Sequence, residues 1–224
     1  MSIDTLRPDH LADHVARRVV DVVVVVHAGI ALVNLTPLID HYTVSEILDV
    51  NGEATVPAWL MSASLLLVAV GAAVLAAEGR AHGAARRTWM GWAAVAAGFV
   101  LLSADEAVGF HELAGEIAGR VIEVSWLPSL YLWVLVVAPV AAVGALVMAR
   151  WFATCIGWRT KPGMLALGAI AVWMTVPFLE SADPVTGGAR WLVVLEETAE
   201  GVGSALMLGA VAHRLVDVFR GRLR

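Results

Sequence analysis

Long apolar runs alternate with short polar segments along the chain. The apolar runs lie at about residues 19–39, 57–77, 89–106, 126–149, 163–180 and 191–212. A helix needs roughly 20 predominantly apolar residues to cross the hydrocarbon core of a bilayer. The pattern therefore predicts an all-α fold, a polytopic transmembrane helical bundle of about six spans.

The same pattern divides the chain into three parts. Residues 1–18 are predicted to form a cytoplasmic or interfacial segment, residues 19–213 a single bundle domain, and residues 214–224 a basic cytoplasmic tail. The composition agrees with a membrane protein, because 16% of the residues are charged whereas soluble domains have about 25%. A lone cysteine, Cys155, excludes an intrachain disulfide and a cysteine-rich metal site.

The charges are sorted by position. Of the 15 Lys and Arg residues, 13 lie in the two terminal segments and in the loops 78–88 and 150–162, and the other side has only Arg120 and Arg190. Cytoplasmic loops of membrane proteins carry an excess of Lys and Arg. We therefore expect a multi-pass protein of the plasma membrane with both termini in the cytoplasm.

The acidic residues gather on the opposite side. The third run ends with Asp105 and Glu106 and is followed by His111 and Glu112, the fifth ends with Glu180, and the sixth contains Glu196, Glu197 and Glu200. An acid at the centre of a bilayer costs about 2.5–3.5 kcal/mol on insertion scales, so intramembrane acids mark functional sites. We expect these side chains to form one layer near the outer face.

The sixth run indicates where its acids point. Glu196 and Glu197 each share a helix face with Glu200. Gly201, Ala205 and Gly209 follow at four-residue spacing, a small-residue seam for close helix packing. The acids are therefore predicted to face the protein interior, and the alternative is a water-filled outer vestibule. A solvated stripe is the favoured interpretation for Glu116 and Glu123.

Carboxylates this close cannot all ionise unless a cation or shared protons join them. Carboxylates with a histidine suit iron, manganese or zinc. The residue types resemble those of di-metal carboxylate bundles, although their Glu-x-x-His spacing is absent. The predicted ligands are Asp105, Glu106, His111, Glu112, Glu180, Glu196, Glu197 and Glu200. His27 and Asn34, both in the first run, are candidates for supporting the site or relaying protons.

Three functions remain open. The protein is predicted to be a membrane oxidoreductase or accessory redox protein with a metal site, a proton- or cation-coupled transporter or relay, or a non-catalytic subunit of a larger membrane complex. No phosphate-binding or nucleophile motif is present, so no catalytic residue and no reaction are assigned. The expected partners are the lipid bilayer and either another membrane protein or a second copy of the chain, with no nucleic acid.

Several segments carry a family resemblance. They are Asp49-Val50-Asn51-Gly52-Glu53-Ala54-Thr55-Val56-Pro57-Ala58-Trp59, Asp105-Glu106 with His111-Glu112, Glu180, and Glu196-Glu197 with Glu200. In these the chain resembles a group of uncharacterised bacterial and archaeal polytopic membrane proteins. The resemblance implies a six-span fold and no settled activity.

Overall fold

The computed structural model describes residues 8–52, 55–122, 124–125 and 127–222, and no strand occurs in these ranges. Residues 1–7 of the predicted N-terminal segment and 223–224 of the predicted tail lie outside them. The α-helices are α1 Pro8–Asn34, α2 Tyr42–Leu48, α3 Val56–Ala81, α4 Arg86–Val108, α5 Phe110–Gly119, α6 Trp133–Val136, α7 Ala138–Trp151, α8 Lys161–Trp173, α9 Val176–Thr186 and α10 Arg190–Arg222.

Among the described residues, five helical stretches have the length and composition to cross a membrane. They are Val56–Ala81, Arg86–Val108, Ala138–Gly157, Lys161–Thr186 and Arg190–Gly221. This confirms the all-α prediction and indicates a membrane protein. The 27-residue α1 is not among the five, because Arg17, Arg18 and Asp21 leave it too short an apolar stretch.

The fourth span was predicted to begin at residue 126 and instead begins at Ala138. Residues 129–137 form a short 3₁₀ turn and the single-turn α6. Pro139 stands in the first turn of α7, where its missing N–H costs nothing, whereas inside a longer helix it would remove a backbone hydrogen bond. A π-helical turn, Phe152–Gly157, then extends the span.

The fifth span also differs from the prediction. The helix stops at Trp173 and restarts at Val176, because Pro177 cannot donate the backbone hydrogen bond of a continuous helix. The second helix also continues beyond the predicted end of the run, to Thr186. Glu180 is therefore carried by a separate short helix.

The main core lies among α3, α4, α8, α10 and the π-helical turn that follows α7. Val68, Phe99, Phe152 and Met207 are each at most 1% exposed. The Trp92 ring meets the Phe152 ring edge-on with centroids 5.6 Å apart. Helices in lipid gain little from the hydrophobic effect, so such close packing is what holds them together.

Helix α1 runs antiparallel to α10. Near the middle of α1, Val20 lies beside Gly209, and further along His27 lies beside Gly201. At its end, the Arg190 side chain donates to the backbone oxygen of Asn34 at 3.0 Å. A β-carbon on Gly201 would lie 2.4 Å from the His27 ring, so the predicted small-residue seam is where α1 approaches.

Candidate functional site

The predicted acidic residues lie at one end of the bundle, and most of them line helix interruptions. Glu196, Glu197 and Glu200 occupy the first turns of α10, Glu180 the short α9, and Asp105 and Glu106 the last turn of α4. His111 and Glu112 follow in α5. All eight side chains are partly buried. We call these eight residues the carboxylate cluster.

A glycine creates the junction between α4 and α5. Gly109 adopts the left-handed conformation, φ 65° and ψ 44°, and its N–H donates to the Asp105 backbone oxygen at 2.7 Å. Glycine has no β-carbon to oppose this conformation. The reversal brings the first turn of α5 back over the last turn of α4.

The junction pairs Asp105 with His111. One carboxylate oxygen of Asp105 accepts the His111 backbone N–H at 2.8 Å, and the other lies 2.8 Å from His111 Nδ1. Burial lowers the pKa of His111, but the hydrogen bond to Asp105 and the charges of Asp105, Glu180 and Glu112 outweigh it and raise the pKa to about 9. The imidazole is therefore a fixed, charged partner of the carboxylates.

A tryptophan connects this pair to α9. The Trp133 ring meets the His111 ring edge-on with centroids 4.9 Å apart, and its Nε1–H donates to Glu180 Oε1. The carboxyl groups of Glu180 and Glu196 of α10 lie close enough to interact. Two carboxylates this close do not both ionise readily unless a proton or a cation joins them.

The remaining acids complete the cluster around α10. Glu200 lies within electrostatic range of Glu106, Glu180 and His111. Glu197 lies within range of Glu200 and Glu106. Within the described ranges, no three His, Cys, Asp or Glu side chains form a ready-made ligand group for a metal. Binding a metal would thus require these side chains to rotate toward it.

Three aromatic contacts were not anticipated from the sequence. Besides Trp133, Tyr131 donates to Asp183 Oδ2 at 2.7 Å, and Trp173 donates to the Glu200 backbone oxygen at 3.3 Å. Burial, the bond to Asp183 and nearby acids raise the pKa of Tyr131. Asp183 is thus a hydrogen-bond acceptor in α9. A Tyr or Trp beside an apolar run is the sequence feature that could have predicted these hydrogen bonds, because its O–H or N–H needs a partner when buried.

Asn34 lies away from the carboxylate cluster. Its amide donates to the Leu48 backbone oxygen at 2.7 Å and accepts from the Val50 N–H at 3.2 Å. Arg190 donates to it at 3.0 Å and also pairs with Asp49 at 3.1 Å. Asn34 therefore ties the end of α1 to the following loop and to α10.

His27 lies at the edge of the cluster. Its Nδ1 bonds to the Val23 backbone oxygen at 2.8 Å, and its buried Nε2 has no hydrogen-bond partner among the described residues. A cavity of about 20 Å³ beside it is also lined by Glu197 and Thr198. This is room for one water molecule.

Glu116 and Glu123 were predicted to lie on a solvated stripe, and the structure describes only the first of them. Glu116 is exposed, as expected for a stripe on the outer surface. Glu123 lies outside the described residues.

The fold and its apolar helices define a helical membrane protein. The chain belongs to the family described as Domain of unknown function (DUF8692), whose model matches residues 16–214. That range includes the whole carboxylate cluster. No curated protein and no solved structure matches the chain. Since the family description names no motif, the resemblance to the six-span group stays a prediction.

Proposed function

We propose that the protein spans the plasma membrane six times, with α1 as the first span and both termini in the cytoplasm. The antiparallel packing of α1 along α10, from Val20 beside Gly209 to Asn34 against Arg190, supports this arrangement. The placement of the basic residues supports the orientation.

Reporter fusions at the two ends of the chain test the number of spans. With six spans, a reporter before Met1 and one after Arg224 both read cytoplasmic, whereas five spans place the ends on opposite sides. A fusion after Arg87 serves as the cytoplasmic control, and one after Asn51 as the external control. Ends on opposite sides would contradict the proposal.

We further propose that the carboxylate cluster binds iron, manganese or zinc. The observation that carries this proposal is the Asp105–His111 pair. A metal-binding histidine usually donates its other ring N–H to a carboxylate, which fixes the ring and its tautomer. Here Nδ1 is held by Asp105, which leaves Nε2 as the atom that would bind the metal.

The neighbours of His111 supply the remaining donors. Glu180, Glu196, Glu197 and Glu200 would provide carboxylate oxygens, with Asp105 orienting His111 and Trp133 orienting Glu180. In the metal-free protein the charged imidazole supplies the positive charge that the acids need, and a metal would replace its proton. Bound iron or manganese would provide redox chemistry, and the protein would then act as a membrane oxidoreductase or an accessory redox protein.

Metal analysis of protein purified in mild detergent without chelator tests this site. We expect near one or two equivalents of iron, manganese or zinc per chain, and strong loss in Glu197→Gln and His111→Ala. Trp133→Phe removes the bond to Glu180, and loss of such an orienting partner weakens metal binding by about 10- to 100-fold. Exposed Glu116→Gln is the matched control and should retain the metal. Metal-free wild-type protein that remains folded and does not take up these ions would refute the site.

A proton or cation relay is the second candidate, favoured by the unpartnered Nε2 of His27 facing the same small cavity as Glu197. One water there would connect the two groups. Proton flux into liposomes, measured with a pH-sensitive dye, tests it: flux should fall in His27→Gln and persist in His14→Gln, which changes an exposed histidine. Wild-type liposomes as tight as protein-free ones would contradict the relay.

A further inference from the structure

A second polar site lies at the opposite end of the bundle, where α1, α8 and α10 converge. Val20 and Leu165 both lie beside Gly209 there. Beyond this point a cavity of about 330 Å³ opens, lined by Arg17, Thr160, Lys161, Pro162, His213, Asp217 and Arg220. Its volume is within the usual range of small-molecule sites, about 300–1,000 Å³. We call it the basic cleft.

The charges of the cleft select an anion. Arg17, Lys161 and Arg220 are basic residues, and Asp217 alone among the lining residues is acidic. The Thr160 hydroxyl is already committed, because it donates to the Gly157 backbone oxygen at 2.8 Å and accepts from Gly163 N–H at 3.2 Å. Recognition therefore rests on the cations. Arginine pairs well with phosphate because its planar fork can hold two oxygens at once.

The position of the cleft favours a lipid as the source of the phosphate. Arg17 is followed by the exposed apolar residue Val19, and Lys161 by the exposed Met164. Acyl chains could therefore lie along the adjoining helix surfaces while the headgroup occupies the cleft. Basic pockets between transmembrane helices on the cytoplasmic side bind the headgroups of anionic lipids.

We propose that the basic cleft binds the phosphate group of an anionic phospholipid at the cytoplasmic face. The ligand chemistry is a phosphate ester held by Arg17, Lys161 and Arg220. This site is independent of the carboxylate cluster, so either can fail without the other.

Binding of spin-labelled or fluorescent lipids to the full-length protein tests the proposal. The protein in phosphatidylcholine nanodiscs is titrated with labelled phosphatidylglycerol or with labelled phosphatidylcholine. We expect preferential binding of phosphatidylglycerol, weakened about tenfold or more by Lys161→Gln, the size expected for the loss of one hydrogen bond to a charged group. Arg86→Gln removes an equal charge from the first residue of α4, which does not line the cleft, and should change nothing.

A competition experiment identifies the source of the phosphate and needs no variant. Inorganic phosphate that displaces the lipid only at high concentration would show a lipid site, and phosphate that binds in the cleft with the stronger affinity would show a site for a free phosphate ester. Both outcomes retain an anion site at Lys161. Equal binding of the two lipids without a phosphate effect, or equal loss in Lys161→Gln and Arg86→Gln, would overturn the proposal.

Discussion

Within residues 190–213 of α10, the half that the proposed topology places toward the outer face, residues 190–201, carries three partly buried acids, whereas the inner half, residues 202–213, packs closely against its neighbours. In the inner half, Ser204, Met207 and Ala210 are completely buried. In the outer half, Glu196 contacts Glu180, another acid. We infer that the close packing of the inner half stabilises the position of α10. The outer half can then carry acidic side chains that are unfavourable in a membrane.

The partners of the two halves differ in the same way. The inner half packs against α3 and α8. The outer half packs against α9, which follows a break in the helix, and its acids lie near those beside the junction of α4 with α5. Broken helices place backbone and polar groups at membrane depth only where these groups line protein or a cavity. The cluster is therefore surrounded by the irregular part of the bundle.

The largest effect is expected where the two halves meet. Gly201→Leu places a side chain where a β-carbon alone would lie 2.4 Å from His27, and it should push α1 away. Overpacking of this kind costs about 1–3 kcal/mol, measured as a lower thermal unfolding temperature in detergent. Gly98→Leu is the control, because a β-carbon at Gly98 meets nothing within 4 Å. Equal destabilisation by both variants would show that the approach of α1 is not tight.

The outer half depends next on the charged His111. Asp105→Asn removes the negative charge that helps to raise its pKa, which should fall from about 9 toward 6.5. The interaction with Asp105 stabilises the charged His111 ring in the folded state. Its contribution to the free energy of unfolding is complete below about pH 6.5 and is lost as the pH rises through 9. NMR titration of labelled histidine in metal-free protein measures the pKa of His111. Asp49→Asn, which alters a partner of Arg190, is the control and should leave the pKa of His111 unchanged. An unchanged pKa of His111 in Asp105→Asn would rule out the Asp105–His111 pair.

A smaller effect is expected at the junction of α4 with α5. Gly109→Ala forces a β-carbon into the left-handed conformation, which costs about 1–2 kcal/mol. Gly144→Ala, where a β-carbon meets nothing within 4 Å, should be neutral or slightly stabilising. Chemical unfolding in detergent compares the two, and a Gly109→Ala protein as stable as Gly144→Ala would be inconsistent with the junction described here.

The smallest stability change is expected when the outer acids are neutralised. Joint substitution of Glu196, Glu197 and Glu200 by Gln should leave the unfolding temperature in chelator equal to or above that of the wild type, since replacing buried charges is often neutral or stabilising. Metal binding should be lost at the same time. A clear fall in unfolding temperature in chelator would mean that the acids stabilise the fold by themselves.

Much of the architecture could be predicted from local pattern. The apolar runs predicted the membrane-length helices, because length and composition decide whether a helix suits a bilayer. The spacing of Gly201, Ala205 and Gly209 predicted a close helix contact, since only small side chains let two backbones approach. The predicted start of the fourth span was wrong. The apolar run begins at residue 126, but Pro139 separates its first part from the long helix that begins at Ala138.

The sequence by itself determined that acidic side chains gather at one end of the bundle, since these residues interrupt apolar runs in which each acid is costly to bury in a membrane. Only the tertiary structure decided the partners. Asn34 and Arg190 are 156 residues apart, and Trp133 and Glu180 are 47 apart. Such contacts have no local signal, because they depend on how helices rotate and slide against one another when they pack. The basic cleft likewise exists only where the ends of three separate helices meet.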